Sequence, residues 1–220
     1  MTKEIFFDYG DLLFKCECNS QTLNRAHNMA RNSLVKLGKD VKVEELDTAF
    51  QKILRGYQIE REKEGYPEWP LKKIIKKMFL ELSLDVDNQI LTDIAEIYRL
   101  NDHNSFPMPN IEKLLPSLAK NYRLGIISNC PHDSLIHELN SYNLLNFFDT
   151  ITISCYVGVR KPNPKIYLTA LKKANVSQAN SLFVSHDELE IWGASRIGMN
   201  TYLIKQDKKN SIDDLLALKW

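Results

Sequence analysis

Apolar and polar positions change their period along this chain. Short apolar runs bounded by polar residues occur at Glu4 to Phe7, Leu124 to Ile127, Thr150 to Ser154, Leu182 to Ser185 and Thr201 to Ile204. Runs of that length and bounding predict buried strands. Helical patterns separate the last four, and strands alternating with helices predict an α/β fold, a doubly wound parallel sheet covered on both faces. More than a hundred residues between the first run and the second read otherwise. Arg25 to Leu37, Val43 to Glu64, Leu71 to Leu82 and Gln89 to Leu100 carry apolar residues at three-to-four spacing, which predicts helices and no strand among them. The expected plan is a core of residues 1–15 plus 106–220, interrupted by an all-helical insertion of residues 16–105.

Turn residues support those boundaries. Gly38, Gly65 with Pro67, and the FPMPN run at Phe106 to Asn110 interrupt the helical patterns. The last returns the chain to the core, and Asn110 is a candidate cap for the helix through Leu114 and Leu118.

Composition narrows the function more than the fold. At 220 residues, with 29 Lys plus Arg against 28 Asp plus Glu, the chain has no global field to recruit nucleic acid or a membrane surface. A small-molecule partner is expected. No apolar run reaches the roughly 20 residues of a membrane span, and the first residues lack a signal-peptide core, so the expected location is cytoplasmic. Cys16, Cys18, Cys130 and Cys155 lack redox or zinc spacing and read as free thiols. No heptad or apolar stripe announces an oligomer, and Trp220 is expected to pack on the sheet or on a neighbouring subunit.

In open α/β sheets the ligand lies beyond the carboxyl ends of the strands, where strand order reverses. The residues at those ends are Asp8, then Ser128 and Asn129, then Lys161 in the loop after Thr150 to Ser154, then Ser185, His186, Asp187 and Glu190. A carboxylate, a hydroxyl, an ammonium and further acids converging on one crevice suit phosphoryl transfer.

FFDYGDLLF, LGIISNCPHDSL, YVGVRKPNPKIY and LFVSHDELEIWGASRIGM, in this order and spacing, resemble the four signature motifs of the haloacid dehalogenase-like hydrolases. That resemblance implies a Rossmann-like core, a helical cap inserted between the first and second motifs, and a phosphatase working on a small organic phosphate ester. It implies that Asp8 is the nucleophile of a covalent aspartyl intermediate. Ser128 and the Asn129 N–H would hold the transferring group, and Lys161 would offset its charge. Magnesium would be held by Asp8, the Gly10 carbonyl and a carboxylate from Asp187 or Glu190.

Two departures accompany the resemblance. Gly10 stands where most phosphatases of the superfamily carry a second, acid/base aspartate, and Asp11 is the nearest substitute in sequence. Ser185 and His186 stand where a metal-binding aspartate is usual, and imidazole is a poor magnesium ligand. The last motif also resembles the S-x-N-x-x-D of the metal-independent 2-haloacid dehalogenases, which have a tyrosine where Tyr167 stands and a halide-binding arginine for which Arg25 and Arg31 are candidates by location. Three readings stand beside one another: phosphatase, dehalogenase-type hydrolase, and a non-catalytic binder. Cys16, Cys18, Asn19, Arg25, Tyr57, Tyr66 and Trp69 are available in the insertion for substrate contact, with none assigned.

Overall fold

The computed structural model describes residues 3–205 and 212–217; Trp220 lies outside them. The chain forms two compact units, residues 1–15 with 105–220, and residues 16–104.

In the first unit five parallel strands make one sheet. They are β1 (Glu4–Phe7), β4 (Arg123–Ser128), β5 (Thr150–Ile153), β6 (Ser181–Ser185) and β7 (Asn200–Leu203), in the order β5-β4-β1-β6-β7. Strand β1 is central, with Phe7 opposite Ile126 on one side and Val184 on the other. Its alternate side chains serve two cores, as the two-residue strand period requires. Ile5 and Phe7 pack with Ile126, Val184 and the apolar face of α5 (Ile111–Leu118) and α6 (Ser134–Ser141). Phe6 faces the other way, into Ile127, Phe183 and the helices α8 (Pro164–Ala174) and α9 (Glu188–Arg196). A single turn, α7 (Ser154–Val157), follows β5. Both faces of the sheet are thus covered, which is why its strands read as continuous apolar runs.

Asn110 was expected to cap α5. It does so with its backbone carbonyl, which accepts from Lys113 and Leu114 N–H, while its side chain makes no cap bond because the residue sits in the left-handed region at φ 68°.

The second unit is built from α1 (Ser20–Lys36), α2 (Val43–Arg61), α3 (Leu71–Glu81) and α4 (Asn88–Asn101). Their buried faces, with Ala26, Ala30 and Leu34 from α1, Leu46 and Phe50 from α2, Ile74, Ile75 and Met78 from α3, and Ile94 and Tyr98 from α4, form one core. Starts are set locally. Asn19 Oδ1 accepts from Gln21 and Thr22 N–H while Thr22 Oγ1 accepts from Asn19 N–H, a capping box. Asp87 caps α4 through Ile90 N–H at 2.8 Å.

The helical periods overlook two short strands, β2 (Phe14–Glu17) and β3 (Asn104–Pro107), which pair with each other where the chain leaves the first unit and returns to it. The stretches FKCE and NSFP lack a sustained alternation, so only their pairing makes them strands. No helix among the described residues is long and apolar enough to cross a membrane.

Candidate active site

The sheet order reverses at β1, which places the crevice at the ends of β1, β4 and β6. Asp8 stands there. Its N–H still donates to Val184 O at 2.9 Å, so the last ladder bond of β1 fixes its backbone. The chain then turns on the Tyr9 carbonyl, which accepts from Leu13 and Phe14 N–H, while the Tyr9 ring stacks on Phe14 at 4.9 Å and its hydroxyl donates to Glu138 at 2.7 Å. With Tyr9 anchored inward, the preceding side chain projects from the opposite face of the strand end.

Lys161 meets Asp8 there. Its fully buried ammonium lies 2.5 Å from Asp8 Oδ1 and 2.8 Å from Glu190 Oε2. Burial by itself pulls a lysine pKa down, but the two carboxylates outweigh it and hold the Lys161 pKa above its ordinary value. The backbone of this loop is fixed from both sides. Lys161 N–H donates to Asn129 Oδ1 at 2.8 Å, and Asn129 Nδ2 returns a bond to Lys161 O at 3.3 Å. Behind it, Pro162 packs so tightly on α9 that a Cβ on Gly193 would meet the Pro162 carbonyl oxygen at 2.7 Å. Helix α8 then opens on Pro164, with Asn163 capping Lys165 N–H.

Glu190 was a candidate metal ligand, and the structure gives it other work. Oε2 accepts from Lys161 and from Ser185 Oγ at 2.8 Å, and Oε1 accepts from Asn129 Nδ2 at 3.2 Å. Burial raises its pKa and the Lys161 ammonium opposes that rise. Tyr167, fully buried, donates its hydroxyl to the Glu190 carbonyl at 2.7 Å. Asp187, the other candidate, is exposed, and its Oδ1 accepts from Leu189 and Glu190 N–H at 2.7 and 3.2 Å. It is the N-cap of α9, a role that an aspartate ahead of a helical pattern advertises in sequence. His186 turns Nδ1 towards Asp8 Oδ2 at 3.5 Å without hydrogen-bond geometry.

Ser128 ends β4 buried, and its hydroxyl makes no hydrogen bond to another group among the described residues. Asn129 follows it. Gly10 carries no side chain, with open space where a Cβ would stand. Asp11 does not join the cluster: it is exposed, takes a left-handed φ of 55°, and donates its N–H to Phe14 O at 2.7 Å, with no ion pair or hydrogen bond to Asp8, Lys161 or Glu190. The sharp turn that buries Leu12, Leu13 and Phe14 exposes it.

The structure thus joins Asp8, Asn129, Lys161, Ser185 and Glu190 in one bonded cluster and sets Ser128 and His186 at strand ends beside it. Magnesium requires a tight octahedron of hard oxygens. Here the Glu190 oxygens face three donors, the exposed Asp187 holds a helix start with Oδ1, and imidazole occupies the strand-end position. Asp8 and the Gly10 carbonyl are left from the expected ligand set, and they do not make such a site.

Two contributions escaped sequence reasoning. The Asn129 side chain, expected to act through its backbone N–H, braces the lysine loop and Glu190 together. Tyr167 stands where the dehalogenases have a tyrosine, but its bond to the Glu190 carbonyl was not legible in the sequence. Among the unassigned residues of the insertion, Arg25 spends its guanidinium on the end of α4, donating to Asn101 O at 2.8 and 3.0 Å and to His103 O at 2.9 Å. Tyr57 is buried and donates to Glu68, and Trp69 lies under Lys73 and Lys77.

A family model described as haloacid dehalogenase-like hydrolase matches residues 39–204. The chain is 29% identical over 237 residues to a glyceraldehyde 3-phosphate phosphatase of Methanothermobacter thermautotrophicus, covering 100% of this chain and 99% of the relative. It is 27% identical to the Pyrococcus furiosus protein of the same name, covering 96% and 84%. Among solved structures, a 2-haloacid dehalogenase from Pseudomonas syringae pv. Tomato superposes with a TM-score of 0.67 at 20% identity, covering 98% of this chain and 96% of that one. At that identity the likeness speaks for the fold.

Proposed function

This chain belongs to the haloacid dehalogenase-like hydrolase family, and from that premise we propose that it is a phosphatase acting on a small organic phosphate ester. The observation that carries the reading is the Asp8 carboxylate at the end of the central strand, 2.5 Å from a buried ammonium, with Ser128 buried at the end of the neighbouring strand β4. The full-length relatives named as glyceraldehyde 3-phosphate phosphatases support it.

In this reading an Asp8 oxygen attacks phosphorus. The bond to the leaving oxygen breaks with its electron pair, and an aspartyl phosphate forms. Lys161, the Ser128 hydroxyl and the Asn129 N–H hold the non-bridging oxygens. Gly10 supplies no acid and Asp11 faces solvent, so the leaving oxygen takes its proton from water or from the substrate. Water then attacks phosphorus, releasing phosphate and restoring the Asp8 carboxylate. The helical unit serves as the cap that selects the substrate, which favours small esters over a phosphoprotein. A cytoplasmic location is part of the same proposal.

Phosphate release from a panel of small esters, glyceraldehyde 3-phosphate included, tests the reading. Asp8→Asn is expected to lower turnover at least about a thousandfold with the fold intact. Turnover that survives the substitution removes Asp8 as nucleophile. Rates on a folded phosphoprotein equal to those on small esters would remove the cap role.

A second reading has its own observation. The closed set of Lys161, Glu190 and Ser185 suits a dehalogenase-type hydrolase, in which Asp8 attacks the halogen-bearing carbon and halide leaves. Arg25 is no halide ligand here, being spent on the Asn101 and His103 carbonyls at and just beyond the end of α4. Chloride release from 2-chloropropionate decides for this reading, and silence in both assays decides for a non-catalytic binder.

A further inference from the structure

The carboxylates around Asp8 differ in what each still has to offer. Glu190 is 8% exposed, and its two oxygens take three donors: an ammonium, a hydroxyl and an amide. To bind a cation it would have to release a buried lysine, and the ion pair so broken could not be replaced by water in that enclosure. Asp187 caps α9 through Oδ1, which ties its side chain to the start of the helix that carries Glu190 and Gly193 against the lysine loop. Beyond Ser185 the next side chain is an imidazole, whose Nδ1 is buried, faces Asp8 Oδ2 and has no hydrogen-bond partner among the described residues. The position from which a carboxylate would close a ligand set with Asp8 is therefore filled by a nitrogen base.

We propose that this site takes no divalent cation, and that the Lys161 ammonium, held between Asp8 and Glu190, is the resident positive charge facing the reacting anion. The assignment rests on the hydrolase reading in taking Asp8 as the reactive carboxylate. Lysine can hold this place because the same two carboxylates that a metal would need are the ones that keep it charged and motionless. Ser185 and Asn129 complete the arrangement by saturating Glu190. His186 keeps the remaining Asp8 oxygen in contact with a neutral or cationic group in place of a second carboxylate, whose charge would itself call for a dication.

Calorimetric titration of the full chain with magnesium chloride and with manganese chloride, with and without inorganic phosphate, reads the inference without any turnover. At about 10 mM a site of about 1 mM affinity would be roughly nine-tenths filled; the wild-type protein is expected to show no saturable binding up to that concentration. His186→Asp, at a half-exposed position and checked for folding by circular dichroism, is expected to acquire binding by placing a second carboxylate beside Asp8. Binding by neither protein also supports a metal-free site and puts the block on the saturated Glu190. Saturable binding by the wild type that Asp8→Asn removes overturns the inference. Absence of phosphate release from every ester sinks the phosphatase reading and leaves the calorimetric result to stand or fall separately.

Discussion

Among the described residues each unit buries one basic side chain, and the two pKa values shift in opposite directions. In the helical unit His27 is 1% exposed on α1. Its Nδ1 lies 2.6 Å from the Tyr98 hydroxyl, and its Nε2 lies 3.3 Å from Asp47 Oδ1, outside hydrogen-bond geometry. Asp47 is half exposed, so water weakens its field, and burial wins: the His27 pKa is pushed below its ordinary value. In the sheet unit Lys161 is buried as completely, yet two enclosed carboxylates within 2.8 Å outweigh the same penalty. Burial alone does not decide whether a base is charged. The number of enclosed counter-charges does.

The sharpest way to break that contrast is Lys161→Met. It leaves Asp8 and Glu190 enclosed without their cation, and is expected to cost about 3–5 kcal/mol in chemical unfolding and about a hundredfold in turnover. If stability is unchanged, the ammonium is not the counter-charge that the geometry assigns. Glu190→Gln is milder, because the amide keeps the shape and loses one charge. A loss of about 1–3 kcal/mol is expected, and a gain in stability would show that Asp8 alone suffices.

The pH response should differ in direction between the units. His27 has a folded pKa below the unfolded 6.5, so its stability contribution is present above that pH and is lost as pH falls towards the folded value. The slope is at most about 1.4 kcal/mol per pH unit for one group. Lys161, with a folded pKa raised above 10.5, contributes stability that is present below 10.5 and lost as pH rises through the folded value. Unfolding followed between about pH 5 and 7 should flatten in His27→Gln; an unchanged profile would remove His27 as the acid-sensitive group. The smallest effect is expected at Arg25→Ala, which strips the end of α4 of its cation and should cost about 1 kcal/mol. A null result in thermal melts would make that contact decorative.

The sheet was legible because its strands are buried on both faces, and the helices of the insertion because three-to-four spacing repeats over several turns. Strands β2 and β3 were not, since four-residue stretches acquire their identity from the partner that they pair with. Asp8 could be placed at a strand end, and Lys161 in the loop after the strand at Thr150, from pattern alone. Glu190 could not be assigned: a carboxylate three residues into a helix is equally a metal ligand, a surface charge or a lysine anchor until its neighbours are known. Asp187 carried a capping signal that pointed to its position on α9, whereas Asp11 looked close to Asp8 only because sequence distance hides a left-handed turn.

What the sequence determined by itself was the alternation of elements, the place of the insertion, and the set of residues delivered to one edge of the sheet. These follow from local periodicity and strand direction, which need no knowledge of distant partners. What only the tertiary structure decided was the bonding within that set. Glu190 and Lys161 are separated by nearly thirty residues and Lys161 and Asp8 by 153. Whether such groups form an ion pair, bind a metal or stay apart is settled by ångström-scale distances in a low-dielectric enclosure, and only the folded chain sets those.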